Sequence, residues 1–182
     1  MSNEAARTAA ELRVSDLLDA GSFVEIGSAV TARATDFNLQ ENKAPGDGVI
    51  TGYGVIDGNL VHAKKISGLY DMAMKMGAPV IGLIDCAGLR LQEASDALHA
   101  LGSIYQKQVL ASGVVPQITA IFGTCGGGLA LIPGLTDFTF MESEKGKLFV
   151  NSPNAIPGNR VEKCDTSCAD FQAKEAGNVD FL

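Results

Sequence analysis

Apolar residues recur at helical spacing from Ala5 to Leu18 until Asp19, Ala20, Gly21 and Ser22 interrupt them, which predicts a short leading helix. Phe23 to Ile26 alternates as a strand does. Asp36 to Asp47 is polar, holds Pro45 and Gly46, has no period and is expected to be a surface loop. Gly48 to Ile56 alternates apolar with small residues, and Asp57-Gly58-Asn59 is a hairpin turn signal before Leu60 and Val61. From His62 to Met76 the set Ala63, Ile66, Leu69, Tyr70, Ala73 and Met76 falls on one helix face, and Gly77-Ala78-Pro79 stops it.

Pro79 to Ile84 is a continuous apolar run, the signature of a strand buried on both faces of a parallel sheet. The pattern then repeats: a helix over Ala94 to Ser112, Gly113 as punctuation, and a second buried strand over Val114 to Phe122. Gly123 to Gly128 is expected to open a further helical stretch through Leu131. Thr136 to Met141 and Lys147 to Val150 read as short strands, and the region beyond Pro153 is polar. The class is α/β. One junction lacks the expected local chemistry: Val61 runs into His62-Ala63-Lys64-Lys65 with no residue to turn the chain or cap a helix, as if a segment were absent. The chain ends in the apolar run Val179-Asp180-Phe181-Leu182, which suggests a truncated C-terminus.

The 182 residues, 46% hydrophobic and 19% charged, fit one folded domain over 1–182. A net charge of -7 without any basic run argues against a nucleic-acid partner. Neither a signal sequence nor an apolar stretch of spanning length is evident, so direct membrane insertion is not expected and a cytoplasmic protein is the simple reading. Cys86, Cys125, Cys164 and Cys168 do not form a disulfide framework, and the spacing of Cys164 and Cys168 does not match a zinc knuckle. His62 and His99 are isolated, so no metal is expected.

Both buried strands end in loops of small residues. The first is Asp85-Cys86-Ala87-Gly88-Leu89-Arg90, and the second is Gly123-Thr124-Cys125-Gly126-Gly127-Gly128. In an open α/β sheet, ligands bind beyond the carboxyl ends of strands. Glycine admits close backbone approach, and amides at helix starts carry partial positive charge suited to an oxyanion. The competing reading is structural: the glycines allow tight helix packing and Asp85 caps a helix. A dinucleotide loop fits worse because Cys125 stands at the second glycine position, and no Gly-Lys-Ser/Thr follows for a triphosphate loop. Cys86 and Cys125 have no evident base in their motifs, so neither is expected to be a nucleophile. Arg90 and Glu93 follow the first loop and are candidates for contact with a ligand or a partner.

The stretches Leu17 to Gly27, Gly46 to Gly54, His62 to Ile66, Gly77 to Leu83, Ala111 to Ile118 and Leu135 to Phe138, in that order, resemble the carboxyltransferase subunits of biotin-dependent acyl-CoA carboxylases and decarboxylases. The resemblance implies a crotonase-like (Clp protease/crotonase) fold of repeated ββα units and an acyl-CoA-binding, N-lobe type domain. It implies that Gly88 and the run Gly126, Gly127 and Gly128 hold the enolate oxygen of an acyl-CoA, with Cys86, Ala87, Leu89, Arg90 and Cys125 lining the substrate. Biotin would come on a biotin carrier protein, and a homologous second carboxyltransferase subunit would complete the active site. The family's usual Ser-Gly-Gly-Ala-Arg is Cys86-Ala87-Gly88-Leu89-Arg90 here, which leaves substrate identity open. Between Val61 and His62 the family carries a further strand and glycine-rich segment. A true deletion there would favour a second reading, a catalytically impaired assembly subunit. A crotonase-type hydratase fits poorly, because Leu129, Ala130 and Leu131 stand where an acid is wanted.

Overall fold

The computed structural model describes residues 8–28, 49–56, 59–63, 66–89, 94–155 and 165–182. The leading helix α1, Ala9–Leu17, starts at a reciprocal cap. Thr8 Oγ1 accepts the Glu11 N–H at 3.3 Å, and the Glu11 carboxylate accepts the Thr8 N–H at 2.5 Å. Strand β1, Val24–Glu25, pairs antiparallel with β2, Gly52–Ile56. The expected hairpin is present: β2 pairs antiparallel with β3, Asn59–Ala63, from Ile56↔Asn59 to Gly52↔Ala63. The polar loop expected over Asp36 to Asp47 and the turn residues Asp57 and Gly58 lie outside the described residues.

The helix expected from His62 instead begins at Ile66, as α2, Ile66–Met76. The reason is pairing on two sides, since His62 is registered with Tyr53 of β2 and with Val80 of β4, Val80–Cys86. Leu69, Tyr70 and Ala73 of α2 are buried with Val80, Ala111 and Val115 in one core. Gly77, at φ +69°, ends the helix in the left-handed region as a C-terminal glycine does.

Helix α3, Ala94–Ala111, leads through a turn to β5, Gln117–Gly126, which pairs parallel with β4. The strand predicted from Val114 starts later, because the Val114 and Val115 N–H groups still donate to Ala111 C=O. It also ends later than predicted. Thr124 to Gly126 pair with Lys147 to Phe149 of β7, Lys147–Phe149, so strand replaces the expected helical start. Strand β6, Phe138–Met141, pairs parallel with the earlier part of β5, giving the order β1-β2-β3-β4-β5-β6 with β7 beside β5.

A second core joins Ile121, Cys125, Met141 and Leu148 to Ala169 and Val179. Ala169 belongs to α4, Ala169–Lys174, a helix of six residues in the polar region where none was expected. The C-terminal apolar run lies against β6. Phe181 bridges to Phe140, their rings are 4.8 Å apart and stacked, and the Met141 N–H donates to Phe181 C=O.

Candidate functional site

The two glycine loops leave neighbouring parallel strands and meet. Along β4 and β5 the register runs regularly to Ile84↔Ile121 and then jumps to Cys86↔Cys125, so β5 bulges over Phe122 to Thr124. Asp85 fills the bulge. One carboxylate oxygen accepts the Thr124 N–H at 3.2 Å, and the other accepts both Nη1 and Nη2 of Arg13 at 3.1 Å. The Arg13 guanidinium lies over the Phe122 ring, 4.7 Å from its centroid. Asp85 is therefore a tie between α1 and the two loops, not the helix cap considered from the sequence. Gly123 is required here because a β-carbon would collide with the Asp85 carboxylate.

Beyond the bulge the loops touch through backbone. Gly88, at φ +140°, has its missing side-chain position 3.5 Å from Gly126 C=O. The corresponding position at Gly126 lies 2.5 Å from Ala87 C=O and 3.0 Å from the Phe149 ring. Gly127, at φ +64°, opens the 3-10 turn Gly127–Leu131, with no side chain capping its start. Gly128 lies against α3, where Leu101 leaves no room for a side chain and the Tyr105 hydroxyl donates to Gly128 C=O. The structure thus brings Gly88, Gly126 and Gly127 together, with Gly128 holding the second loop to α3.

The remaining candidates divide. Cys86 and Ala87 are exposed and Leu89 is half-buried beside them, at the mouth between the loops. Cys86 Sγ donates to Gly88 C=O at 3.3 Å, which ties the first loop to itself. Cys125 is 0% exposed, within the second core, and its Sγ donates to Leu129 C=O at 3.5 Å. Burial, with a further contribution from the neighbouring Cys86, pushes the Cys125 thiol up to about 12, the opposite of an activated nucleophile. Arg90, Glu93 and Cys164 lie outside the described residues. Among the described residues, no three His, Cys, Asp or Glu side chains stand together as a metal site, and no helix is long and apolar enough to cross a membrane.

Arg13, Tyr105 and Phe149 carry the site's support and were not singled out by sequence reasoning. Asp85 was read in another role. An acid placed directly after an apolar strand is visible in the sequence, but its partners come from α1 and from the next strand, which no local spacing reveals.

The carboxyl transferase domain family matches residues 2–65 and 59–182, two stretches that meet and overlap where β3 gives way to α2. The propionyl-CoA carboxylase beta chain of Roseobacter denitrificans is 45% identical over 161 aligned positions, covering 79% of this chain and 32% of that protein. Since 79% of 182 residues is about 144, roughly 17 of the 161 positions have no counterpart here. The methylmalonyl-CoA decarboxylase subunit alpha of Propionigenium modestum is 43% identical, over 79% of this chain and 31% of its own length. The chain thus spans about a third of the length of these curated relatives. Among solved structures, transcarboxylase 12S, a hexamer with hydrolysed methylmalonyl-coenzyme A bound, superposes with a TM-score of 0.87 at 33% identity, over 93% of this chain and 37% of that one. That likeness bears out the crotonase-like α/β fold, and with the match along both stretches it follows that this chain belongs to the carboxyl transferase domain family.

Proposed function

We propose that the chain is the acyl-CoA lobe of a biotin-dependent carboxyltransferase, transferring a carboxyl group between biotin and an acyl-CoA. The observation that carries this reading is the meeting of Gly88 with Gly126 and Gly127 at the carboxyl ends of two adjacent parallel strands. Backbone lines that junction, because a side chain at Gly126 would run into Ala87 C=O of the opposite loop and Gly88 holds a positive φ that favours glycine. Such a junction suits a reaction whose difficulty is negative charge on an oxygen. Loss of CO₂ from a malonyl-type thioester, or removal of a proton α to the thioester carbonyl, leaves an enolate, and preorganised amides stabilise that charge more than they stabilise the neutral carbonyl.

In this reading Gly88 and Gly126 to Gly128 supply the donors. Cys86, Ala87, Leu89 and Arg90 flank the thioester, and Cys125 backs the second loop from the core. Asp85 and Tyr105 hold the loops at their spacing. Biotin on its carrier protein supplies the acceptor or donor of the carboxyl group. No residue of this chain is assigned to the biotin ring, which falls to a homologous second subunit. The names of the relatives support propionyl-CoA or methylmalonyl-CoA as the first substrates to try.

The test is to purify the chain with its partner subunit and assay decarboxylation of malonyl-CoA and methylmalonyl-CoA with free biotin as acceptor. Turnover that depends on both subunits is expected, and inactivity of the assembled complex toward every acyl-CoA would overturn the proposal. The second reading, an assembly subunit without activity, draws on one observation: about 17 positions of the relatives are missing from this chain. It predicts normal assembly and no turnover in the same experiment.

A further inference from the structure

Each glycine loop carries a cysteine, and the sheet sets the two side by side. Cys86 and Cys125 are Cα partners across the parallel strands β4 and β5, at the register position just beyond the bulge. Adjacent strands lie about 4.8 Å apart, inside the roughly 4.4–6.8 Å Cα spacing that a disulfide spans. Direction agrees with distance. Side chains alternate across a strand, so Cys86 shares a face with Ile84, and Ile84 packs on the core that holds Ile121 and Cys125. Cys86 also contributes to raising the Cys125 thiol, as a near neighbour does.

The two thiols differ in access. Cys86 is exposed, Cys125 is 0% exposed, and both are free. Cys86 Sγ donates to Gly88 C=O at 3.3 Å and Cys125 Sγ to Leu129 C=O at 3.5 Å. A thiol is a weak donor, so little opposes giving up either bond.

We infer that Cys86 and Cys125 are a redox pair, closing to a disulfide across the two loops and reopening with a thiol reductant. A peroxide is the oxidant. The Cys86 sulfur takes one oxygen from hydrogen peroxide, the O–O bond breaks, and water and the Cys86 sulfenic acid result. Cys125 Sγ then attacks the Cys86 sulfur, the S–O bond breaks, and the departing hydroxide leaves as water with the Cys125 proton. Two thiols and one peroxide become one disulfide and two waters. A buried, protonated thiol is a slow partner in free solution, but a fixed neighbour acts at high effective concentration. Closing the bond takes the Cys86 donor away from Gly88 C=O. Under the function proposed above, on which this consequence rests, the pair is a switch on carboxyl transfer.

The test uses the full chain in complex with its partner subunit, reduced and then treated with hydrogen peroxide. Remaining thiols are alkylated in denaturant and the digest is read by mass spectrometry. The expected product is a peptide pair joining Cys86 to Cys125, absent after dithiothreitol. Turnover is expected to fall about tenfold or more on oxidation and to return with the reductant. In Cys125→Ser the first step is stranded, and Cys86 is expected to carry a sulfenic acid that dimedone traps. The pair is overturned if both thiols stay free, if Cys86 is oxidised while Cys125 is still alkylated, or if Cys86 is joined to Cys164, Cys168 or a second chain. A Cys86–Cys125 bond with turnover unchanged would overturn the switch. A complex inactive before oxidation counts against the proposed function instead, and the joined peptides still decide the pair.

Discussion

Asp85 Oδ1 accepts the backbone N–H of Thr124 at 3.2 Å, so the two glycine loops are joined by a side chain at the point where their strands fall out of register. Gly123 is the other half of this arrangement, because a methyl group there would take the space of the same carboxylate. Asp85→Ala is expected to cost about 1 kcal/mol, mostly the lost bond to a backbone donor. Gly123→Ala should cost more in the native background and little in the Asp85→Ala background. A double-mutant cycle by urea denaturation checks this, and additive costs would mean that the two residues do not share the space.

Gly126→Ala places a methyl 2.5 Å from Ala87 C=O and 3.0 Å from the Phe149 ring, so the loops must part. Under the proposed function, carboxyl transfer should fall by about 10² or more while assembly persists, the scale of losing one oxyanion donor. Gly102→Ala is the control. Gly102 is exposed within α3 with nothing near its missing side chain, so the change should leave turnover intact and raise stability by about 0.5–1 kcal/mol.

Alkaline stability follows from two buried groups. Burial and then the nearby Cys86 raise the Cys125 thiol from 9.0 to about 12. Burial, partly offset by a Gln108 hydrogen bond, raises Tyr70 from 10.0 to about 12. Both stay protonated in the folded chain after the unfolded chain has released its protons. Their contribution is complete below pH 9 and is lost as pH climbs toward 12. The slope is at most about 1.4 kcal/mol per pH unit for each group. Urea midpoints between pH 8 and 10.5 should decline, and Cys125→Ala should flatten the part beginning near pH 9.

Acid stability carries the opposite sign at Asp165. Burial acts to raise this carboxyl, but Lys147 Nζ at 2.6 Å and the Ser167 hydroxyl and N–H outweigh it and hold it below its ordinary value. The stabilisation is complete above the ordinary carboxylate range near 3.8 and is lost as pH falls through the lower folded value. Asp165→Asn should flatten the acid limb of a pH-denaturation curve and leave the alkaline limb unchanged.

Much of this was legible along the chain. The hairpin of β2 and β3, the face of α2, and the buried strands before each glycine loop follow from period and turn residues, which act locally. Where the expectations missed, a distant partner decided. His62 is strand because β2 and β4 flank it, and Thr124 to Gly126 are strand because β7 pairs beside them. The helix α4 was hidden in a polar stretch, where Ala169 and Gln172 point inward without an apolar period to announce it. At the site, the glycines were found from the sequence because backbone freedom has a residue type. Asp85 was visible but was given a cap's role, since Arg13 lies 72 positions away in the chain.

The bond from the Tyr105 hydroxyl to Gly128 C=O has an optical consequence. The chain contains no tryptophan and three tyrosines, so one phenol in three is attached to the second glycine loop. Ultraviolet absorption and emission of this protein therefore carry a built-in signal from that loop. Movement of the loop on ligand entry can be followed in the unlabelled chain, with Tyr105→Phe as the blank.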